Sequence, residues 1–173
     1  MIQLILGGAR SGKSRLAEQI AKKSALAVTY IATAQAFDVE MQDRIQHHQA
    51  QRPSHWQVIE ESLYLADCLK DIDQPNQFIL VDCLTLWMSN LLLHENVELQ
   101  RQECQKLLAV LPTLQADVIL VTNETGLGVV PIGEISRKFV DESGRLHQAL
   151  GEIAQKVTFC VAGFPMILKG EKQ

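Results

Sequence analysis

Gly7-Gly-Ala-Arg-Ser-Gly-Lys-Ser14 is the stretch that decides the fold of this chain. Gly7, Gly12, Lys13 and Ser14 satisfy G-x-x-x-x-G-K-[ST], the phosphate-binding loop that joins a strand to a helix. The flanks agree. Ile2-Gln-Leu-Ile-Leu6 reads as a short buried strand, and Ser14-Arg-Leu-Ala-Glu-Gln-Ile-Ala-Lys-Lys23 as a helix leaving the loop. Glycines let backbone N–H groups close around phosphate oxygens, and the helix N-terminus adds a favourable dipole. Gly7, Gly8, Ala9, Arg10, Ser11, Gly12 and Lys13 therefore form a candidate triphosphate cradle. Lys13 reaches for the β- and γ-phosphates, and the Ser14 hydroxyl is a candidate ligand of Mg²⁺. The plain alternative is a glycine-rich turn with an incidental lysine, and the strand–loop–helix context weighs against it.

Outward from the loop, apolar runs alternate with helical patterns. Leu26-Ala-Val-Thr-Tyr-Ile-Ala32 is rich in strand formers. Asp38 to Gln51 reads as a helix with Asp38 as N-cap and Met41, Ile45 and His48 on one face, ended by Arg52-Pro53. Ser62 to Ile72 is a second helical pattern, followed by the turn Asp73-Gln-Pro-Asn76. Phe78-Ile-Leu-Val-Asp82 and Asp117-Val-Ile-Leu-Val-Thr-Asn123 are strands of the fully buried, parallel type. Between them, Leu84 to Leu93 and Val97 to Leu111 look helical. A loop at Gly126-Leu-Gly-Val-Val-Pro131 leads to a long helix over Glu134 to Lys156, with Gly144 as a candidate break. Val157-Thr-Phe-Cys-Val-Ala162 closes the series. This order predicts an α/β fold, a mostly parallel central sheet with helices on both faces.

With 173 residues the chain is expected to be one domain, residues 1–173. A net charge of −4 without a basic run weighs against a nucleic-acid partner. No apolar run approaches the ~20 residues of a membrane span. The chain opens directly on its first strand, which leaves no room for a cleavable signal peptide, so the expected compartment is the cytoplasm. Cys68, Cys83, Cys104 and Cys160 form no C-x-x-C pair. They are expected to be reduced and packed rather than disulfide-bonded or zinc-bound.

In sheets of this kind ligands sit beyond the carboxyl ends of the strands. Those ends carry the phosphate loop, Thr33-Ala34-Gln35, Asp82-Cys-Leu-Thr85 and Asn123-Glu-Thr-Gly126. Asp82 occupies the place of the second acidic element of phosphate-loop enzymes, where a carboxylate holds Mg²⁺ directly or through water. Capping the next helix is its alternative use. Asn123 or Glu124 either positions substrate or solvates phosphate-bound metal, or the pair forms a plain turn.

His48 lies on the Met41/Ile45 stripe and faces the body of the protein, whereas His47 shares its face with Arg44 and Gln51. A half-buried neutral imidazole can attack phosphorus, which makes His48 a candidate covalent catalyst rather than a merely packed histidine. Arg10 and Arg52 are candidate phosphate-contacting cations, with surface ion pairs as the alternative. Trp56 and Trp87 read as packing residues rather than a base-stacking platform.

Three classes compete for the loop. A GTPase switch needs D-x-x-G and N-K-x-D, but Asn123 is followed by Glu124-Thr125 and no D-x-x-G ends a strand. A small-molecule kinase needs little beyond the loop, an acid and a pocket. A nucleotide-sensing module would bind without turnover.

Further stretches narrow this choice. They are Tyr30-Ile-Ala-Thr-Ala-Gln35, Arg44-Ile-Gln-His-His-Gln49 with Arg52-Pro53 and Trp56, and Val81-Asp-Cys-Leu-Thr85 with Asn90-Leu91. After them come Val121-Thr-Asn-Glu-Thr-Gly-Leu-Gly-Val-Val-Pro131, Phe139-Val-Asp141, Gly144 and Ala162-Gly163-Phe-Pro165. Together with the loop these resemble the bifunctional adenosylcobinamide kinase / adenosylcobinamide-phosphate guanylyltransferase family, from residue 2 to about residue 168.

The resemblance implies a RecA-like phosphate-loop fold and a homotrimer. It implies that ATP or GTP phosphorylates the aminopropanol hydroxyl of adenosylcobinamide. GMP is then transferred from GTP to that phosphate, giving adenosylcobinamide-GDP and pyrophosphate. The histidine of R-I-x-x-H, counted from Arg44, is His48, which would carry the guanylyl group. Lys13 and Asp82 complete the catalytic set, and Ser14 and Asp82 the Mg²⁺ ligands. Nucleotide contacts extend to Thr33, Ala34, Gln35, Gln51, Arg52 and a glutamate at Glu60 or Glu61, with Glu60 preferred. One departure stands out: His147-Gln148 takes the place of the family's usual Asn-Gln. A kinase without guanylyl transfer is the alternative function.

Overall fold

Strands that are apolar on both faces can be buried only between two layers of helices. The computed structural model describes residues 1–34 and 53–171, and it has that layered form. Its strands are β1 (Ile2–Gly7), β2 (Ala27–Ala32), β3 (Gln57–Glu60), β4 (Gln77–Asp82), β5 (Asp117–Asn123), β6 (Lys156–Val161) and β7 (Phe164–Lys169). Its helices are α1 (Lys13–Lys23), α2 (Leu65–Ile72), α3 (Leu84–Leu92), α4 (Leu99–Val110) and α5 (Glu134–Ile153). The sheet order is β3-β2-β4-β5-β1-β6-β7, parallel except for the β6–β7 pair. The predicted α/β fold with a mostly parallel central sheet is therefore what forms.

The alternation of strand side chains divides the core in two. Leu4, Ile79, Val81, Val118 and Leu120 face α2 to α5, with Leu65, Leu69, Trp87 and Leu150 against them. Ile5, Tyr30, Phe78, Leu80, Ile119 and Val121 face the other way, onto Ala17 and Ala21 of α1 and onto Trp56. Leu80 is fully buried on β4. Leu80→Ala is expected to cost about 2–5 kcal/mol of stability, read as a lower denaturant midpoint at unchanged slope.

Several elements differ from expectation. The helix expected over Asp38 to Gln51, with His47 and His48, lies outside the described residues, as do Gln35 and Arg52. The second helix begins at Leu65, three residues past Ser62, because the Glu61 carboxylate accepts N–H bonds from Leu63 (2.7 Å) and Tyr64 (2.8 Å) and holds that stretch in a turn. The long helix runs unbroken through Gly144, where an added Cβ would meet nothing within 4 Å. It ends at Ile153, because Lys156 already pairs in β6 beside Gln3.

Two edge strands, β3 and β7, have no counterpart in the sequence reading. β3 is a mostly exposed four-residue strand, Gln57-Val-Ile-Glu60, too short and polar to carry a strand pattern. β7 returns antiparallel through a tight turn in which Ala162 and Gly163 both have positive φ, 51° and 84°. That is the geometry of a two-residue hairpin whose twist matches its strands. All four cysteines are free. Among the described residues no helix is long and apolar enough to cross a membrane.

Candidate active site

β1 ends at Gly7, which is in register with Asn123 on one side and Cys160 on the other. A Cβ on Gly7 would stand 2.8 Å from the Cys160 carbonyl oxygen, so the strand can turn into the loop here only without a side chain. The loop closes on itself through Ser11 N–H to Gly8 O (3.2 Å). Gly12 has φ 93°, and a Cβ there would meet Gly163 Cα at 3.1 Å. Gly163 N–H in turn donates to Ser11 O (2.9 Å). The β6–β7 turn is thus a buttress under the phosphate loop, a role that sequence reading did not assign to it.

α1 starts directly from Gly12, with the Leu16 N–H on the Gly12 carbonyl (2.9 Å). The N–H groups of its first turn have no carbonyl a turn earlier within the helix, so they point out at the loop mouth. Lys13 Nζ donates to Gly8 O (3.2 Å), curling over the loop. Ser14 is partly exposed beside it, and Arg10 lies exposed at the crest with φ 56°.

Asp82 ends β4, partly exposed. The N-cap of α3 is Cys83, with no side-chain capping bond, so the capping use of Asp82 is not the one seen. Burial, assisted by the Asp82 charge, pushes the Cys83 thiol up to about 11, with Lys13 opposing. Cys83 thus stays a neutral thiol within the fields of both the acid and the lysine.

Thr33 is fully buried and braces this junction. Its hydroxyl donates to Cys83 O (2.6 Å) and accepts from Cys83 N–H (2.9 Å), while its carbonyl accepts from Asn90 Nδ2 (2.9 Å). A nucleotide contact by that side chain would require giving up these bonds. Thr33→Val leaves the Cys83 N–H buried without a partner. It is expected to cost about 1–3 kcal/mol, measured by chemical denaturation.

The end of β5 adds a chain of polar groups. Thr85 Oγ1 accepts the Asn123 N–H (2.7 Å) and lies 3.4 Å from Thr122 Oγ1. Thr122 Oγ1 is 2.9 Å from His147 Nε2, and His147 Nδ1 is 3.8 Å from Glu124 Oε2. Glu124 N–H donates to Gly7 O (3.1 Å), tying this residue to the loop. Sequence reading placed Asn123 and Glu124 on the rim but had no signal linking them to His147, which lies on α5 and some twenty residues on.

Mg²⁺ is the cation that such loops use. Ser14 and Asp82 offer a hydroxyl and a carboxylate, hard oxygens suited to an ion that keeps waters and phosphates as its other ligands. Asn123 Oδ1 is a buried acceptor without a hydrogen-bond partner among the described residues. It sits at the register position of Gly7, where a water or ligand donor would satisfy it. The residues present fit the ion.

Ala34 is partly exposed just past β2. Glu60 is exposed at the end of β3, four strands from β1, about 19 Å at a strand spacing of about 4.8 Å. The structure does not bring it to the loop, so any contact with a nucleotide held there is at the far end from the phosphates. Trp56 and Trp87 are packed as expected, the Trp87 indole N–H on Leu63 O (2.8 Å).

A parallel sheet with this loop at the end of β1, an acid at the end of β4 and β5 between them defines a phosphate-loop nucleotide-binding protein of RecA-like architecture. The fold is similar to that of the RadB recombinase, with a TM-score of 0.53 and 20% identity over 91% of this chain and 73% of that one. A protein of Pyrococcus horikoshii OT3 superposes with a TM-score of 0.57 at 11% identity, covering 99% and 87% of the two chains.

The chain belongs to the cobinamide kinase / cobinamide phosphate guanyltransferase family, which matches residues 3–168. The bifunctional adenosylcobalamin biosynthesis protein of Pseudomonas aeruginosa is 58% identical over 171 residues, 99% of each chain. That of Escherichia coli K12 is 38% identical, covering 98% of this chain and all of the other.

Proposed function

We propose that this chain is a bifunctional transferase. It phosphorylates adenosylcobinamide with ATP or GTP, then transfers GMP from GTP to adenosylcobinamide phosphate. The observation that carries this reading is a complete phosphate loop, with Asp82 two strands away, inside a chain whose family match spans residues 3–168.

In the first reaction the amides of Gly8 to Ser14 and the Lys13 ammonium hold the β- and γ-phosphates in place. Ser14 and Asp82 would hold Mg²⁺, which would supply positive charge against the phosphate oxygens. In the second reaction a ring nitrogen of His48 attacks the α-phosphorus of GTP. An N–P bond forms, the bond to the bridging oxygen breaks, and pyrophosphate leaves with the electron pair. A phosphate oxygen of adenosylcobinamide phosphate then displaces the histidine, giving adenosylcobinamide-GDP. One difficult displacement becomes two easier ones.

Arg10, Ala34, Gln35, Gln51, Arg52 and Glu60 are assigned to the nucleotide, and Thr33 to the brace behind it. Both reactions belong to one catalytic unit, residues 1–173, in a cytoplasmic homotrimer. The test supplies adenosylcobinamide with ATP, and then GTP, and follows products by mass and pyrophosphate release. Both products in sequence support the reading. The monophosphate alone reduces the chain to a kinase, and binding without either product leaves a sensing module.

A further inference from the structure

β5 lies between β1 and β4, so the group at its end stands between the phosphate loop and Asp82. Glu124 directly follows Asn123, the last residue of β5, and is fixed by its N–H on Gly7 O and by one carboxylate oxygen that accepts the Gly126 N–H. The other oxygen faces His147 Nδ1 at 3.8 Å.

Thr85 Oγ1 accepts from Asn123 N–H, which leaves its own proton available to Thr122. A Thr122 proton given in turn to His147 Nε2 is one of the two directions this pair allows. An imidazole that accepts at Nε2 and is neutral carries its proton on Nδ1, the nitrogen nearer Glu124. Burial lowers the His147 pKa from the ordinary 6.5, with the Glu124 charge opposing. Of the groups that face it along this chain, Thr122 from β5 and Thr85 from α3 are uncharged, and Glu124 carries the charge.

We propose that Glu124 is the general base for the acceptor hydroxyl in phosphoryl transfer, with His147 as the positioning residue that holds the carboxylate in place just past the end of β5. This rests on the functional reading above. As the hydroxyl oxygen bonds to the γ-phosphorus, a Glu124 oxygen takes its proton. The bond from the γ-phosphorus to the β–γ bridging oxygen breaks, and the nucleoside diphosphate leaves with that electron pair. The second reaction has no such need, because its acceptor is a phosphate oxygen already ionised.

The two half-reactions therefore supply the test. Glu124→Gln is expected to lower kcat for adenosylcobinamide phosphorylation by about 10²–10⁴-fold. The nucleotide KM should stay within about threefold, and guanylyl transfer to supplied adenosylcobinamide phosphate should persist. His147→Ala removes both ring partners and is expected to lower the same kcat about tenfold with guanylyl transfer kept, while His147→Asn, which keeps a donor and an acceptor, should restore most of it. Phosphorylation at the wild-type rate by Glu124→Gln, or equal loss of both reactions, overturns the base assignment.

A wild type inert in both reactions overturns the functional reading and the base assignment with it. The pair is still decided by an NMR titration of the His147 ring. An Nδ1–H tautomer whose pKa lies below 6.5, and falls further in Glu124→Gln, supports the pair. A pKa unmoved by that substitution overturns it. The sign also reaches stability. Below about pH 6.5 the unfolded chain takes up a proton at His147 that the folded chain resists. Stability is therefore lost as pH falls, and His147→Asn removes that part of the slope.

Discussion

Lys13→Ala is expected to abolish both reactions, each by at least about 10³-fold, while leaving the fold intact. The ammonium is held by Gly8 O, which also accepts the Ser11 N–H, so truncation orphans no buried group. Stability without nucleotide should stay within about 0.5 kcal/mol of wild type. What is lost is a positive charge at the phosphate tail. In phosphorylation that tail contains the group being transferred, and in guanylyl transfer it is the departing pyrophosphate. One cradle for both steps predicts that both fail together. The check is each half-reaction assayed separately, alongside thermal unfolding with GTP. A nucleotide at a hundred times its Kd stabilises wild type by about 2.7 kcal/mol, and the variant should show much less. Lys13→Arg should not restore activity, because a planar fork cannot replace a compact point charge in a loop this tight. Loss of phosphorylation with guanylyl transfer intact would mean two separate phosphate sites.

The loop was legible because its chemistry is local. Gly7, Gly12, Lys13 and Ser14 are close in sequence, and each residue type is dictated by backbone approach or by a phosphate oxygen. The same holds for the strands at the centre of the sheet. β4 and β5 are apolar on both faces because both faces are covered, and that pattern survives in one dimension. The edges were not legible. β3 and β7 are mostly exposed, so nothing forces an apolar alternation on them.

Contacts across long sequence separations were equally silent. Gly163 lies about 150 residues from Gly12, yet its bare Cα is what lets the hairpin turn press against the loop. Thr33 shows a third kind of miss. It sits on the rim, where position suggested a ligand contact, but its hydroxyl is consumed by both backbone groups of Cys83. A strand-end threonine looks the same in sequence whether it faces substrate or braces its neighbour.

His147 sharpens the point about departures from a family pattern. Where the family resemblance leads one to expect a neutral amide, this chain has an imidazole, and the structure surrounds it with partners. Thr122 closes one ring nitrogen and Glu124 faces the other. Substitution within a hydrogen-bonding niche preserves geometry while changing which group can titrate. The consequence belongs to this chain's pH response rather than to its fold.

His48→Asn is expected to separate the two activities, and it carries the second large effect. An amide side chain fills similar space but cannot become the carrier of a guanylyl group. Guanylyl transfer should therefore fall by roughly 10⁴–10⁶-fold, the scale of removing a nucleophile. Phosphorylation needs the loop, Asp82 and the base but no covalent carrier, so its rate should stay within about threefold. Wild type incubated with GTP labelled at the α-phosphate should retain label on the protein, and His48→Asn should not. The bond itself supplies a second criterion. In a phosphoramidate, acid protonates the nitrogen and makes it a good leaving group, whereas base does not, so the label should be lost in acid and survive alkali. A hydroxyl ester of serine or threonine would show the opposite stability in alkali. Undiminished label on His48→Asn, or label with ester-like stability, would sink the histidine carrier. Absence of label from wild type would instead leave the loop to bring the cobinamide phosphate to the α-phosphorus in a single displacement, and inversion of configuration at that phosphorus would replace the net retention that two successive displacements require.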